Sequence, residues 1–380
     1  MKMCYLNENQ LSWCRAHEAE TMDLLKTLGK IPAPSHFEDQ RAAFILSWLK
    51  KLGAEKAYID DAKNVVLPMG VTDNNPVNVI MAHTDIVFAD TEELPMREED
   101  GKLYAPGIGD DTANLAALLM AAKYWLEKKE TPQEGLLIVA NACEEGLGNL
   151  KGSKQILKDY AGRVQEFISL DGGVAHITND AVGSCRMKIT ITAQGGHSYS
   201  KFGNTNAIVQ MAELIGKLYE KEPPAKAKTT YNAGVIEGGS TVNSICGQCS
   251  LLYEYRSCDR ECLQEMDAFF QETIDSFRKK GFDIRVEVLG VRPCKGDVDE
   301  EKLEALTKRH RDMLFAFTGD EPRVSASSTD ANSALDLGIP AVTFGAIRGG
   351  GAHTRGEWIE MDSMPQAVQI ALAEVSHYFV

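Results

Sequence analysis

The chain has 380 residues, 44% hydrophobic and 25% charged, which is apolar material enough for two domains of ordinary size. Forty lysines and arginines against 55 acidic residues leave a formal charge of −15, which repels phosphate backbones and excludes general nucleic-acid binding. No apolar run approaches the roughly 20 residues that span a bilayer, Met1–Glu20 has neither a cationic start nor an apolar centre, and the nine cysteines are odd in number and scattered. The expectation is a reduced cytoplasmic protein with no membrane partner.

In chain order, Glu8–Leu28 reads as one amphipathic helix stopped by Gly29 and the Pro32/Pro34 pair, and Glu38–Leu52 as a second closed by Gly53. The apolar runs Val77–Ala82, Leu136–Ala142 and Glu166–Leu170 are nearly continuous, the pattern of strands covered on both faces. Between the first two lies the helix Thr112–Lys129, with Asp110 and Asp111 at its amino terminus, where carboxylates are favoured. From about residue 181 the rhythm changes. Strand Ser184–Ala193, helix Asn204–Glu220, strands Thr229–Glu237 and Gly247–Arg256, helix Arg260–Lys280 and strand Phe282–Leu289 follow, the β-α-β-β-α-β order of a split ferredoxin-like unit. After Pro293 come the helix Glu300–Phe317, the buried strand Ile339–Phe344 and the helix Ser363–Phe379. The expected fold class is α/β: a three-layer α/β sandwich formed by residues 1–180 and 293–380, carrying an inserted ferredoxin-like α+β domain at 181–292.

The metal-capable side chains fall at the ends of the apolar strands. His83 and Asp85 follow the first, Glu144 and Glu145 the second and Asp171 the third, while His353 lies in a Gly-rich loop beyond the strand Ile339–Phe344. In open α/β sheets the carboxyl ends of the strands form the binding crevice, so residues far apart in sequence can converge there. With Asp110 added, two imidazoles and three carboxylates suit a pair of zinc-type ions sharing one carboxylate. Asp85, two residues beyond His83, faces the same way along a strand and can support that imidazole. Taken singly, each piece reads as a cap, a turn or a solvated loop; the joint pattern points to a metal site.

These stretches resemble the co-catalytic zinc exopeptidase family of peptidase T, glutamate carboxypeptidase, aminoacylase, acetylornithine deacetylase and succinyl-diaminopimelate desuccinylase. The matching motifs are Met81-Ala82-His83-Thr84-Asp85, Gly107-Ile108-Gly109-Asp110-Asp111, Ala142-Cys143-Glu144-Glu145-Gly146 and Leu170-Asp171-Gly172-Gly173. Gly195-Gly196-His197-Ser198, Ser328-Thr329-Asp330-Ala331-Asn332 and His353-Thr354 followed by Glu357-Trp358 continue the series in the family's order over almost the whole chain. The resemblance implies a zinc-exopeptidase-like sandwich whose inserted domain serves as lid and dimerisation unit. It implies that His83 and Asp171 bind one metal ion, that Glu145 and His353 bind the other, and that Asp110 bridges them across a cis Asp110–Asp111 peptide. Asp85 would support His83, Glu144 would be the general base, and His197 would reach the active site of a neighbouring subunit. Arg256 would recognise a substrate carboxylate, with Asn243 a lesser candidate for the same pocket. The metals would be two divalent ions, zinc first, with cobalt or manganese fitting the same donors.

Thr112-Ala113 stands where many members carry Lys or Asn and then Gly, and the segment after His197 lacks the common proline; neither departure touches a ligand. The expected activity is hydrolysis of the amide bond of short peptides by a homodimeric aminopeptidase or dipeptidase. The alternatives are an N-acyl-amino-acid deacylase or a non-catalytic metal-binding protein on the same fold. Cys246-x-x-Cys249 and Cys258-x-x-x-Cys262 are set aside as a zinc site, since residues 246 and 249 of one strand would face opposite ways.

Overall fold

Strands buried on both faces must deliver alternate side chains to two separate cores, and the computed structural model, which describes residues 5–379, shows this. The chain forms two compact units, Met1–Ala181 with Asp297–Val380 and, separately, Val182–Gly296. In the first unit an eight-stranded mixed sheet runs in the order Tyr58–Ile59, Val65–Met69, Gly135–Asn141, Val77–His83, Val164–Leu170, Ala341–Phe344, His176–Ala181, Arg323–Ser327. Ile80, Ala82, Ile138, Ala140, Ile168 and Leu170 enter one core, with helices Glu18–Lys30, Ala113–Lys128 and Met364–Ser376. Val79, Met81, Leu137, Val139 and Phe167 enter the other, with Lys151–Asp159 and Ala331–Asp336. That alternation makes three layers. Helix Ala113–Lys128 is buried from Ala113 through Trp125, as befits a helix apolar on almost every side.

Four neighbouring strands decide where chemistry can occur. Val77–His83 pairs in parallel with Gly135–Asn141 on one side and Val164–Leu170 on the other, and Ala341–Phe344 pairs in parallel with Val164–Leu170. Their carboxyl ends therefore open on one side of the sheet.

The second unit is a four-stranded antiparallel sheet in the order Thr229–Gly238, Gln248–Ser257, Gly183–Thr192, Asp283–Arg292. Helices Ala207–Leu218 and Arg260–Lys279 cover one face through Met187, Ile189, Leu214, Leu251, Tyr253 and Phe270.

Two readings need correction. The helix expected over Glu8–Leu28 is two, Glu8–Ala16 and Glu18–Lys30, broken at His17, whose ring bonds the carbonyl of Trp13 at 2.8 Å. Cys246 and Cys249 do not face opposite ways: both are buried in one core, because Cys246 precedes the first strand residue, Gln248.

Candidate metal centre

His83 is the last residue of its strand, and Asp171 follows Leu170 directly, its N–H donating to the Phe344 carbonyl at 2.9 Å. Glu144 and Glu145 leave the end of Gly135–Asn141 after Cys143, which turns the chain with φ 60°. Asp110 lies on the turn before helix Ala113–Lys128, and the Asp110–Asp111 peptide is cis. His353, at φ 63°, projects from its loop with its side chain 58% exposed, whereas the other five are buried or half-buried.

Asp110 sits between the two imidazoles. Its Oδ1 is 3.0 Å from Nε2 of His83 and its Oδ2 is 3.2 Å from Nε2 of His353, which in turn is 3.3 Å from Oε1 of Glu145. Three donor sets have every ligand atom within 4.8 Å of the others: His83–Asp110–Asp171, Asp110–Glu145–His353 and His83–Glu144–Glu145. Two ligands each about 2.0–2.2 Å from one tetrahedral ion stand roughly 3–3.5 Å apart, which matches these separations. Oε1 of Glu145 is buried, with the His353 imidazole at 3.3 Å facing it, so a cation between the two would complete a group the protein leaves largely open. The set fits two divalent ions, with Asp110 common to both.

The electrostatics show the same incompleteness. Burial and the neighbouring Asp110 push the Asp171 carboxyl up to about 7. Hydrogen bonds to Asp110 and Glu145 push His353 up to about 10. Burial opposes charge on His83, yet hydrogen bonds to Asp110 and Asp85 hold its pKa well above the usual histidine value. Protons here occupy positions that a divalent cation would take, and its binding would release them.

Surrounding groups aim the ligands. The carboxylate of Asp85, fully buried, accepts the backbone N–H groups of Glu144 at 2.9 Å and Glu145 at 3.0 Å and the Ser35 hydroxyl at 2.6 Å. Nδ1 of His83 lies nearer the Asp85 carbonyl, at 3.0 Å, than its carboxylate, at 3.5 Å. Asp85 thus couples His83 to the Glu144–Glu145 loop as well as supporting the ring. Glu357 accepts the N–H groups of Gly107, Gly109 and Asp110 at 3.1, 2.7 and 2.8 Å, bracing the turn that carries the shared aspartate. Arg41, wholly buried, donates to the Thr84 carbonyl at 2.7 Å and the Ile31 carbonyl at 2.5 Å. Sequence reasoning gave Ser35, Arg41 and Glu357 no role. Two signals were present: for Arg41, a charged residue on the apolar face of helix Asp39–Lys51, and for Glu357, its place in the His353 motif.

The remaining candidates belong to the second unit. His197 lies in the short strand Gly196–His197, paired with Ser244 and exposed, and the Asn243 carbonyl accepts the neighbouring Ser198 N–H at 2.9 Å. Arg256 directs Nε and Nη2 at the Glu254 carboxylate, 3.0 Å each, and Arg186 approaches the same carboxylate at 3.4 Å. Among the described residues no cysteine joins a metal-capable group.

A mixed-sheet α/β sandwich with histidines and carboxylates gathered at its parallel strand ends defines a metal-binding hydrolase. The model of peptidase family M20/M25/M40 matches residues 79–376, and the chain belongs to that family. It is 24% identical over 381 residues to acetylornithine deacetylase from Myxococcus xanthus, covering 95% of this chain and 96% of that protein. A tripeptidase from Staphylococcus aureus shares the fold with a TM-score of 0.74 at 21% identity, over 94% of this chain and 97% of that one. So does a dinuclear metal-binding peptidase of the M20 family from Bacillus subtilis, with a TM-score of 0.62 at 15% identity, over 96% and 100% of the two chains.

Proposed function

We propose that the protein hydrolyses the amide bond of short peptides beside a free terminus, as an aminopeptidase or dipeptidase using two divalent metal ions. The observation that carries this is the placement of Asp110, with one carboxylate oxygen toward His83 and the other toward His353. His83 and Asp171 would hold one ion, Glu145 and His353 the other, with Asp110 shared. Zinc suits these donors, and cobalt and manganese fit them too.

When bound, the pair supplies Lewis-acid polarisation of the scissile carbonyl and lowers the pKa of water. Glu144 is buried beside the ligands, its backbone held by Asp85, and is not needed to complete either Asp110-containing set. Its carboxylate takes the proton of the attacking water and delivers it to the leaving amine nitrogen. His197 would help hold the developing oxyanion in the site of a second copy, making the active form a homodimer. Arg256, if released from Glu254, and Asn243 would bind a substrate carboxylate. The eight cysteines among the described residues are all free thiols, as a reducing cytoplasmic setting would keep them, and no described helix is long and apolar enough to cross a membrane.

A second reading, N-acyl-amino-acid deacylase, is favoured by the relative that is named a deacetylase. Ranking di- and tripeptides against N-acetyl and N-succinyl amino acids as substrates of the zinc-loaded protein separates the two. Glu144→Ala is expected to keep both metal equivalents and lose about 10²–10⁴-fold in kcat. Near-normal turnover by that variant would remove Glu144 as the base.

A further inference from the structure

Asn114 is wholly buried in the first turn of helix Ala113–Lys128, where asparagine is a poor helix former. An asparagine near a helix start ordinarily caps it by accepting a backbone N–H of that same turn. Asn114 does not. Its amide nitrogen donates to Oδ1 of Asp111 at 2.7 Å and to the Gly172 carbonyl at 3.0 Å, and its oxygen accepts the Ala346 N–H at 2.9 Å. Both donors are used, each on a different chain segment.

Each partner lies next to a ligand or a strand end. The other oxygen of Asp111 accepts the backbone N–H of His83 at 3.0 Å, and Asp111 adjoins Asp110. Gly172 adjoins Asp171. Ala346 follows Gly345, where a Cβ would lie 1.7 Å from the Gly172 carbonyl oxygen, so these two backbones meet at a distance only glycine allows. One amide thus clamps the ends of strands Val77–His83, Val164–Leu170 and Ala341–Phe344. None of its hydrogen bonds reaches Glu145 or the loop residues beside His353.

Resting on the two-metal reading above, we propose that Asn114 is a positioning residue for one of the two cation sites: it sets the geometry of His83 and Asp171, the two ligands that site does not share, and leaves the Glu145–His353 pair to other supports. Groups that orient metal ligands from behind typically change affinity by about 10–100-fold when removed. The effect of losing Asn114 should therefore be unequal between the sites.

The test is calorimetric titration of the metal-free full chain with zinc, with melting of the same samples. Asn114→Ala is expected to weaken one equivalent by about 10–100-fold and to change the other by less than about threefold. Asn114→Ser, which retains one donor, should fall between Asn114→Ala and the unsubstituted chain. Leu118→Ala, a cavity in the same helix at a fully buried position, should lower the melting temperature without separating the two affinities. Equal weakening of both equivalents by Asn114→Ala, or no weakening, would overturn the proposal. So would failure of both Asn114 variants to fold while Leu118→Ala folds, since that marks a requirement of the fold alone. An unsubstituted chain that takes up fewer than two zinc ions would instead refute the two-metal reading, and the proposal with it.

Discussion

The first unit contains two buried clusters of charge, one toward each end of strand Val164–Leu170, and they are built on opposite plans. Toward the amino end, Arg309 pairs with Glu166 at 2.9 Å and with Glu374 at 3.4 Å, and His310 meets Glu374 at 3.0 Å. Tyr378 donates to Glu166 at 3.0 Å. Acids and bases are matched within the protein, and although burial pushes the Glu374 carboxyl up, His310 and Arg309 bring it down to about 2. At the carboxyl end, Asp85, Asp110, Asp111, Glu144, Glu145 and Asp171 share two imidazoles and the guanidinium of Arg41. There a carboxyl rises to about 7. Equally buried acids are thus neutralised from within at one end and left in excess at the other. An excess retained at such desolvation cost is the mark of a site that takes cations from solution.

Removing metal should break the contrast most completely. Dialysis against a chelator is expected to abolish turnover, with recovery on adding back zinc. The metal-bound form should be the more stable by about 2.7 kcal/mol at a free zinc concentration a hundred times its Kd, read as a shift in melting temperature. His353→Ala should cost one metal equivalent and, because the imidazole faces the buried acids Asp110 and Glu145, should also lower metal-free stability in denaturant unfolding at neutral pH. A variant that still binds two equivalents would remove His353 from the ligand set. Glu374→Ala is the mirror experiment. It strands His310 without its acid, leaves Arg309 with Glu166 alone, and should cost about 3–5 kcal/mol in denaturant unfolding, with the zinc stoichiometry unchanged. Loss of metal with it would mean that the clusters are coupled.

How far these clusters were legible in the sequence follows from the same physics. The acid-rich site was readable because its ligands adjoin long apolar runs, and parallel strands carry such residues to one side whatever their separation along the chain. The supports beyond Asp85 were not. Asn114 and Glu357 act through backbone groups of distant turns, and nothing in a single sequence marks which N–H a buried carboxylate will accept. Strand Val65–Met69 is not among the apolar runs read above, and it carries Pro68, a residue rare inside strands. The pairing of Tyr58–Ile59 stops at Val65 and Val66, so Pro68 needs no partner on that edge. The polar strands His176–Ala181 and Arg323–Ser327, the last two of the sheet, offered too few apolar residues to show a period. The helix break at His17, where the ring meets the Trp13 carbonyl, leaves no mark in the apolar periodicity.

The finest test of the comparison is the acid dependence of the balanced cluster. Glu374 has a folded pKa of about 2 against an ordinary value of 4.5, so the unfolded chain binds its proton first as pH falls. Its contribution is fully present above about pH 4.5 and is lost as pH drops toward 2, amounting to about 3 kcal/mol over that interval. Burial and the Arg309 charge depress His377 below its usual 6.5, so that this ring also favours unfolding as pH falls below 6.5. Comparing Glu374→Gln with the unsubstituted chain, both metal-free, isolates the carboxyl from His377 and from the acids of the site. The stability difference should be largest near pH 7 and shrink by about 3 kcal/mol toward pH 2. A difference independent of pH would show that Glu374 stabilises by packing and not by charge, and the contrast between the two clusters would then lose its electrostatic basis.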